Sequence, residues 1–389
     1  PQARRLVHWL LAALDPDDPE AGATAGPGAK PGDNAKPGDN AEAGDNAEPA
    51  AADAPAVEQV LQGAANFARK EIPLLAAVLG RVGLVPPGKR RDRVLAAVLN
   101  APPRGIPTLA PALRAALVPG GSLELQARLA GLLAPVDEQA REEATRFMLG
   151  PDAAHARAAA RRMAAAAMAW DWYDIPYLTR LLTAPTDGVV ESAVEVLAAG
   201  RERGEPVGPE VRAALRKALA ATNSSPVCGQ IVSMLRLDPA TDGAADAASL
   251  PETVDLMAAR ARELPRRDQQ DLLAALVRGA LALLADALRA GLDDDAVDRI
   301  RLLLRDLPLD QVRRGEEPVR TLCAALDLRV PGALESLAGV IGDFPAGAQF
   351  GLAQAVERKY GVASALFRDL ATRDGVDPQV VAYVVGRQN

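Results

Sequence analysis

The sequence predicts an all-α fold: an α-solenoid of stacked antiparallel helix pairs, preceded near the N-terminus by a disordered low-complexity segment. Three observations predict it. From Val57 onward apolar residues recur with the helical period, and no stretch alternates as a strand does. Leu182 and Leu219, Val190 and Val227, and Leu197 and Met234 are each 37 residues apart, which is the self-similarity of a helical repeat. Apolar residues make up 49% of the chain and aromatics only 3%, so the core is built from Ala, Leu and Val. That composition suits closely packed helices better than strands.

The elements follow in order. Over residues 1–15, Leu6, Trp9, Leu10 and Ala13 fall at i, i+3, i+4 and i+7 behind a basic start, the pattern of an amphipathic helix. A basic start and a short apolar run also resemble a signal sequence, but Asp15-Pro16-Asp17-Asp18 stands where small cleavage-site residues belong. Pro1 in place of Met reads as the trace of an upstream region, so the compartment stays open. Residues 16–56 carry the hexapeptide Lys30-Pro31-Gly32-Asp33-Asn34-Ala35, repeated at Lys36–Ala41 and decaying at Glu42–Ala47. With no apolar side chain larger than Ala or Pro, this acidic stretch is read as a disordered linker. Its spacing of six with one acid per repeat matches neither calcium-loop pattern.

Residues 57–389 form the repeat domain, best defined over 72–236 and degenerate over 250–389. Ile72-Pro73, Ile106-Pro107 and Ile175-Pro176 open helices at separations of 34 and 69. Proline suits the first helical turn, where its missing N–H has no partner to lose. In the clearest pair, Leu178, Leu181 and Leu182 share one face, Pro185-Thr186-Asp187-Gly188 turns the chain, and Val190, Ala193, Val194 and Leu197 share the next. Leu215, Leu219, Val227, Ile231 and Met234 repeat the plan. Further pairs fit 251–290, 294–328, 332–359 and 362–387, with one long helix over Asp268–Ala290.

Pro176, Leu178, Leu181, Leu182, Asp187, Val190, Ala193 and Leu197 together resemble the HEAT repeat, although Glu191 stands where that family usually carries Arg. The resemblance implies a superhelical surface that holds other proteins and, more rarely, nucleic acid. A compact helical domain is the rival fold.

Charge excludes some functions. The net charge is −7, but ten acids and two lysines between Asp15 and Ala56 supply −8 of it, so the remainder is close to neutral. Neither a strong nucleic-acid field nor an ion buffer follows. Six lysines leave 38 arginines, an excess read first as base-composition bias. Cys228 and Cys323, 95 residues apart, are read as unpaired thiols, which weights the localisation toward a reducing compartment such as the cytoplasm. The longest apolar stretch, Leu272–Leu288, is broken by Arg278 and Asp286, so no membrane span is expected.

Catalytic, cofactor and metal sites are all read as none. Gly83-Leu84-Val85-Pro86-Pro87-Gly88-Lys89-Arg90 matches most of a phosphate-binding loop but lacks the final hydroxyl, and two prolines remove backbone donors. Only His8 and His155 exist, and neither Cys has a C-x-x-C partner. Asp293-Asp294-Asp295 is read as the cap of a helix beginning near Ala296. Two clusters remain as partner-binding candidates. Trp170, Asp171, Trp172, Tyr173 and Asp174 hold two of the three tryptophans between helices; they read either as an inter-repeat packing plug or as a recognition patch. Arg157 and Arg161, at i and i+4 with Arg162 beside them, read as a solvated face or as part of a row that tracks phosphates. The function expected is a non-enzymatic protein–protein scaffold. The alternative is nucleic-acid binding of the HEAT-like DNA-repair glycosylase type, using the Arg rows and Trp170–Asp174.

Overall fold

The structure is a computed structural model, and it describes residues 75, 76, 79, 80, 82, 88–99, 106–117, 121–237, 249–264, 269–291 and 296–388. The helix expected over 1–15, the linker expected over 16–56, the Asp293–Asp295 cap and residues 83–87 lie outside the described residues. Among those described there are seventeen α-helices, three short 3-10 segments and no strand. The chain divides into two compact units, one up to Trp172 and one from Tyr173 onward.

The first unit contains α1 (Lys89–Leu99), α2 (Ile106–Ala116), α3 (Leu123–Leu133), α4 (Glu138–Met148) and α5 (Ala153–Ala169). Helix α3 is its hub, packing on each of the other four. Seven of its eleven residues are buried, among them Leu125, Leu129, Leu132 and Leu133. Its contact with α5 is unusually close for a specific reason. A Cβ on Gly131 would fall 2.1 Å from the backbone oxygen of Ala159. Gly131 meets the Ala159 backbone directly, on a buried face of α5 that is rich in alanine at 156, 159, 160 and 164. Asp137 and Asp152 start α4 and α5 by accepting backbone N–H groups that have no partner inside the helix.

The second unit contains α6 (Ile175–Leu181), α7 (Asp187–Glu202), α8 (Pro209–Ala221), α9 (Ser225–Leu235), α10 (Leu250–Glu263), α11 (Gln270–Arg289), α12 (Ala296–Asp306), α13 (Glu316–Arg329), α14 (Ala333–Gly339), α15 (Ala346–Tyr360), α16 (Ala365–Asp369) and α17 (Pro378–Gln388). The expected long helix is α11. Among the described helices of this unit, the principal packing joins each one only to the next and the next but one along the chain. Helices α6, α8, α10, α12 and α14 thereby each contact the next in that series, as do α7, α9, α11, α13, α15 and α17 in theirs. Val190, Ala193, Val194 and Leu197 of α7 are all buried, as are Leu178, Leu181 and Leu182 before them. Each such leucine or valine contributes about 1.5–3 kcal/mol by leaving water. Helix α11 packs on α9, α10 and α13 and is accordingly buried on most of its circumference.

Candidate functional site

The structure brings Arg157 and Arg161 together with two residues that the sequence pattern could not connect to them. Helices α3 and α5 approach closely at Gly131, and residues of both line an open groove of about 420 Å³. Arg128 and Glu124 form one wall, and Arg157, Arg161 and Arg162 the other. Ala154 and Ala158 line it between these side chains. Residues 154, 157, 158 and 161 share one face of α5, and 124 and 128 are a turn apart on α3. Arg128 is paired with Glu124. Arg157 and Arg161 are exposed and have no ion-pair or hydrogen-bond partner among the described residues. Beside the Arg128–Glu124 pair, the exposed Arg157 and Arg161 therefore make this a local positive site.

At the start of α5, the carboxyl of Asp152 is held below its usual range chiefly by the His155 backbone N–H, opposed by desolvation. His155 also places Nδ1 3.2 Å from Asp152 Oδ2, and its ring meets Phe147 edge-on. These contacts fix the first turn from which Arg157 projects.

The pentapeptide Trp170–Asp174 is distributed over several roles. Trp170 packs against the apolar core of the first unit. Asp171 is exposed and takes a left-handed backbone with φ of 52°, which Asp tolerates better than most residues. Trp172 is half-buried, donates its backbone N–H to Ala167, and lies under the guanidinium of Arg141 at 5.3 Å. Tyr173 belongs to the second unit. Its ring lies on Gly200, where an added Cβ would be 2.2 Å from the ring edge. Its hydroxyl is buried without a hydrogen-bond partner, and burial, aided by Glu205 and opposed by Arg203, raises its pKa. Asp174 is the N-cap of α6, accepting from Tyr177 N at 3.1 Å.

Other arginines turn inward, a role the sequence reading did not anticipate. Arg212 is only 2% exposed; its Nε donates to Val207 O at 3.3 Å and its Nη1 to Leu235 O, the last carbonyl of α9, at 3.1 Å. Arg201 reaches the same helix end through Ser233 O, Met234 O and Arg236 O. Arg260 donates to Leu219 O and Thr222 O at the end of α8. Arg91 does the same in the first unit, joining Val82 O to Ala116 O. Asp286, 6% exposed inside α11, holds Arg236 through two hydrogen bonds and Arg289 through a third. A smaller groove of about 210 Å³ in the second unit is lined by Arg289, Arg320 and Arg358 beside Leu328, which is 83% exposed.

Cys228 and Cys323 are free and buried, with thiols pushed up to about 11 and about 12 by desolvation. Among the described residues no group of three or more His, Cys, Asp or Glu side chains is arranged to hold a metal ion. No described helix is long and apolar enough to cross a membrane. Comparison with protein-family models, with curated proteins and with solved structures found no match to this chain.

Proposed function

We propose that the chain is a non-enzymatic scaffold whose helix pairs are layered as in a HEAT-like α-solenoid and bind another protein. The observation that carries this reading is the packing order of the second unit, where the principal contacts among the described helices join near neighbours in the chain. A stack of that kind buries each pair's apolar face against the next pair and leaves a continuous outer surface for a partner. The first helices of successive pairs begin at residues 175, 209, 250, 296, 333 and 365, so the repeat drifts in length while keeping its order. Capture from a native extract on the immobilised full chain, followed by reconstitution with the purified captured protein, tests the reading. A saturable stoichiometric complex is expected; recovery of nucleic acid alone, or of nothing, overturns it.

The arginine-lined seam favours a second reading, nucleic-acid binding. Its mark is a mobility shift whose affinity falls steeply with salt as counterions are displaced.

A further inference from the structure

The groove between α3 and α5 has a chemistry of its own. Arg157 and Arg161 stand one helical turn apart, with Cβ atoms about 5–6 Å from each other. An extended peptide presents alternate side chains about 6.6–6.8 Å apart on one face. Long, flexible arginine stems span that small mismatch, and each planar guanidinium can fork a carboxylate through two parallel hydrogen bonds. The alanines at 154 and 158 leave room for a backbone to lie between the walls. Arg128, already neutralised in part by Glu124, closes the opposite side. Leu123, 55% exposed at the start of α3, offers an apolar foothold on the same helix.

Two features turn this chemistry away from nucleic acid. No aromatic side chain lines the groove, so nothing there stacks a base. Outside the acidic stretch 15–56 the chain is close to neutral, so the positive field is confined to the groove and matches a short segment with two or three carboxylates rather than a long polyanion.

We propose that this seam binds an acidic segment of a partner protein in extended form, with alternate carboxylates held by Arg157 and Arg161. The proposal rests on the protein-binding reading and names the chemistry of the partner.

The test is fluorescence anisotropy with the full chain and a labelled octapeptide of alternating Glu and Val, its Gln-for-Glu analogue, and a labelled single-stranded oligonucleotide. The acidic peptide is expected to bind at least ten times more tightly than the Gln analogue. The pairs Arg157→Glu with Arg161→Glu, and Arg157→Gln with Arg161→Gln, are each expected to weaken it tenfold or more. Both pairs replace exposed side chains, so circular dichroism and melting are expected to be unchanged, and Arg320→Gln is expected to leave binding as it was. Equal binding of the Gln analogue, indifference to both arginine pairs, or tighter oligonucleotide binding through the same arginines overturns the proposal. A captured partner that still binds both double variants leaves the scaffold standing and removes the groove from it.

Discussion

The seam of α3 and α5 and the helix ends around α8 and α9 are both rich in arginine, yet they use it in opposite ways. At the seam, Arg157 and Arg161 project into solvent with no partner among the described residues. Around α8 and α9, Arg201, Arg212 and Arg260 lay their guanidinium groups on carbonyls that a helix cannot satisfy itself. The last four C=O groups of any helix lack an internal partner, and arginine's five donors in a fixed fork can serve several at once. Whether a helix end lies within reach of the side chain decides between the two uses. One use fastens helix to helix, and the other leaves charge available for something else.

The largest expected effect separates the two directly. Arg212→Ala removes a buried stem and strands Val207 O and Leu235 O, each at a penalty of about 1–3 kcal/mol, so a total loss of roughly 3–5 kcal/mol is expected. Arg157→Ala is expected to change stability by less than about 0.5 kcal/mol. Urea unfolding of the two variants beside the parent measures both, and similar losses would erase the distinction.

Gly131→Ala comes next. Its methyl group meets the Ala159 carbonyl at 2.1 Å, a backbone atom that cannot rotate away, so α3 and α5 must part. A loss of about 2–3 kcal/mol is expected, together with weaker acidic-peptide binding, because both walls of the groove ride on that contact. Gly229→Ala is the control. It sits exposed within α9 with open space around it, and alanine there is expected to stabilise by about 0.5–1 kcal/mol.

Much of the helical layout was legible because it is written locally. Leu178, Leu181, Leu182, Val190, Ala193, Val194 and Leu197 lie at helical spacing and are all buried, since a helix repeats its faces within four residues. The inward arginines were not legible. Arg212 meets a carbonyl 23 residues away and Arg260 one 41 residues away, and no periodicity connects them. From the sequence alone the arginine excess reads as base-composition bias, and its clusters as solvated faces or phosphate-tracking rows. Arg128 joins Arg157 and Arg161 only through the geometry of Gly131, a lone glycine in a helix with no motif around it. Asp174 does carry a signal, an acid just ahead of a proline in a first helical turn, within a pentapeptide that reads either as a packing plug or as a recognition patch.

A comparable effect, about 2–3 kcal/mol, is expected in alkaline solution and sharpens the contrast at Arg260. Burial lifts the Cys228 thiol to about 11, and the positive charge of Arg260 pulls against that lift. The folded state holds this proton more tightly than the unfolded chain, whose thiol ionises near 9. The resulting stability is fully present below pH 9 and is lost between pH 9 and about 11, at roughly 1.4 kcal/mol per unit. Chemical denaturation across that range measures it, and Cys228→Ala is expected to flatten the slope. In Arg260→Met the thiol loses its cationic neighbour and is expected to ionise at still higher pH. No such shift would mean that the guanidinium is too well occupied by Leu219 O and Thr222 O to act on the sulfur.

The last effect, about 1 kcal/mol, concerns Asp174 and asks whether a carboxylate beside the tryptophans is a fastening or a contact. As the N-cap of α6 it holds the Tyr177 N–H, and Asp174→Ala is expected to cost about 1 kcal/mol in a thermal melt. Asn caps a helix about as well as Asp, so Asp174→Asn is expected to leave the melt nearly unchanged. The Asn variant removes only the charge, which makes it the informative one. With capping alone at stake, partner capture is expected to be the same for Asp174→Asn and the parent. Weaker capture with an unaltered melt would place this carboxylate on a recognition surface and dissolve the division drawn above between side chains that fasten helices and side chains that face a partner.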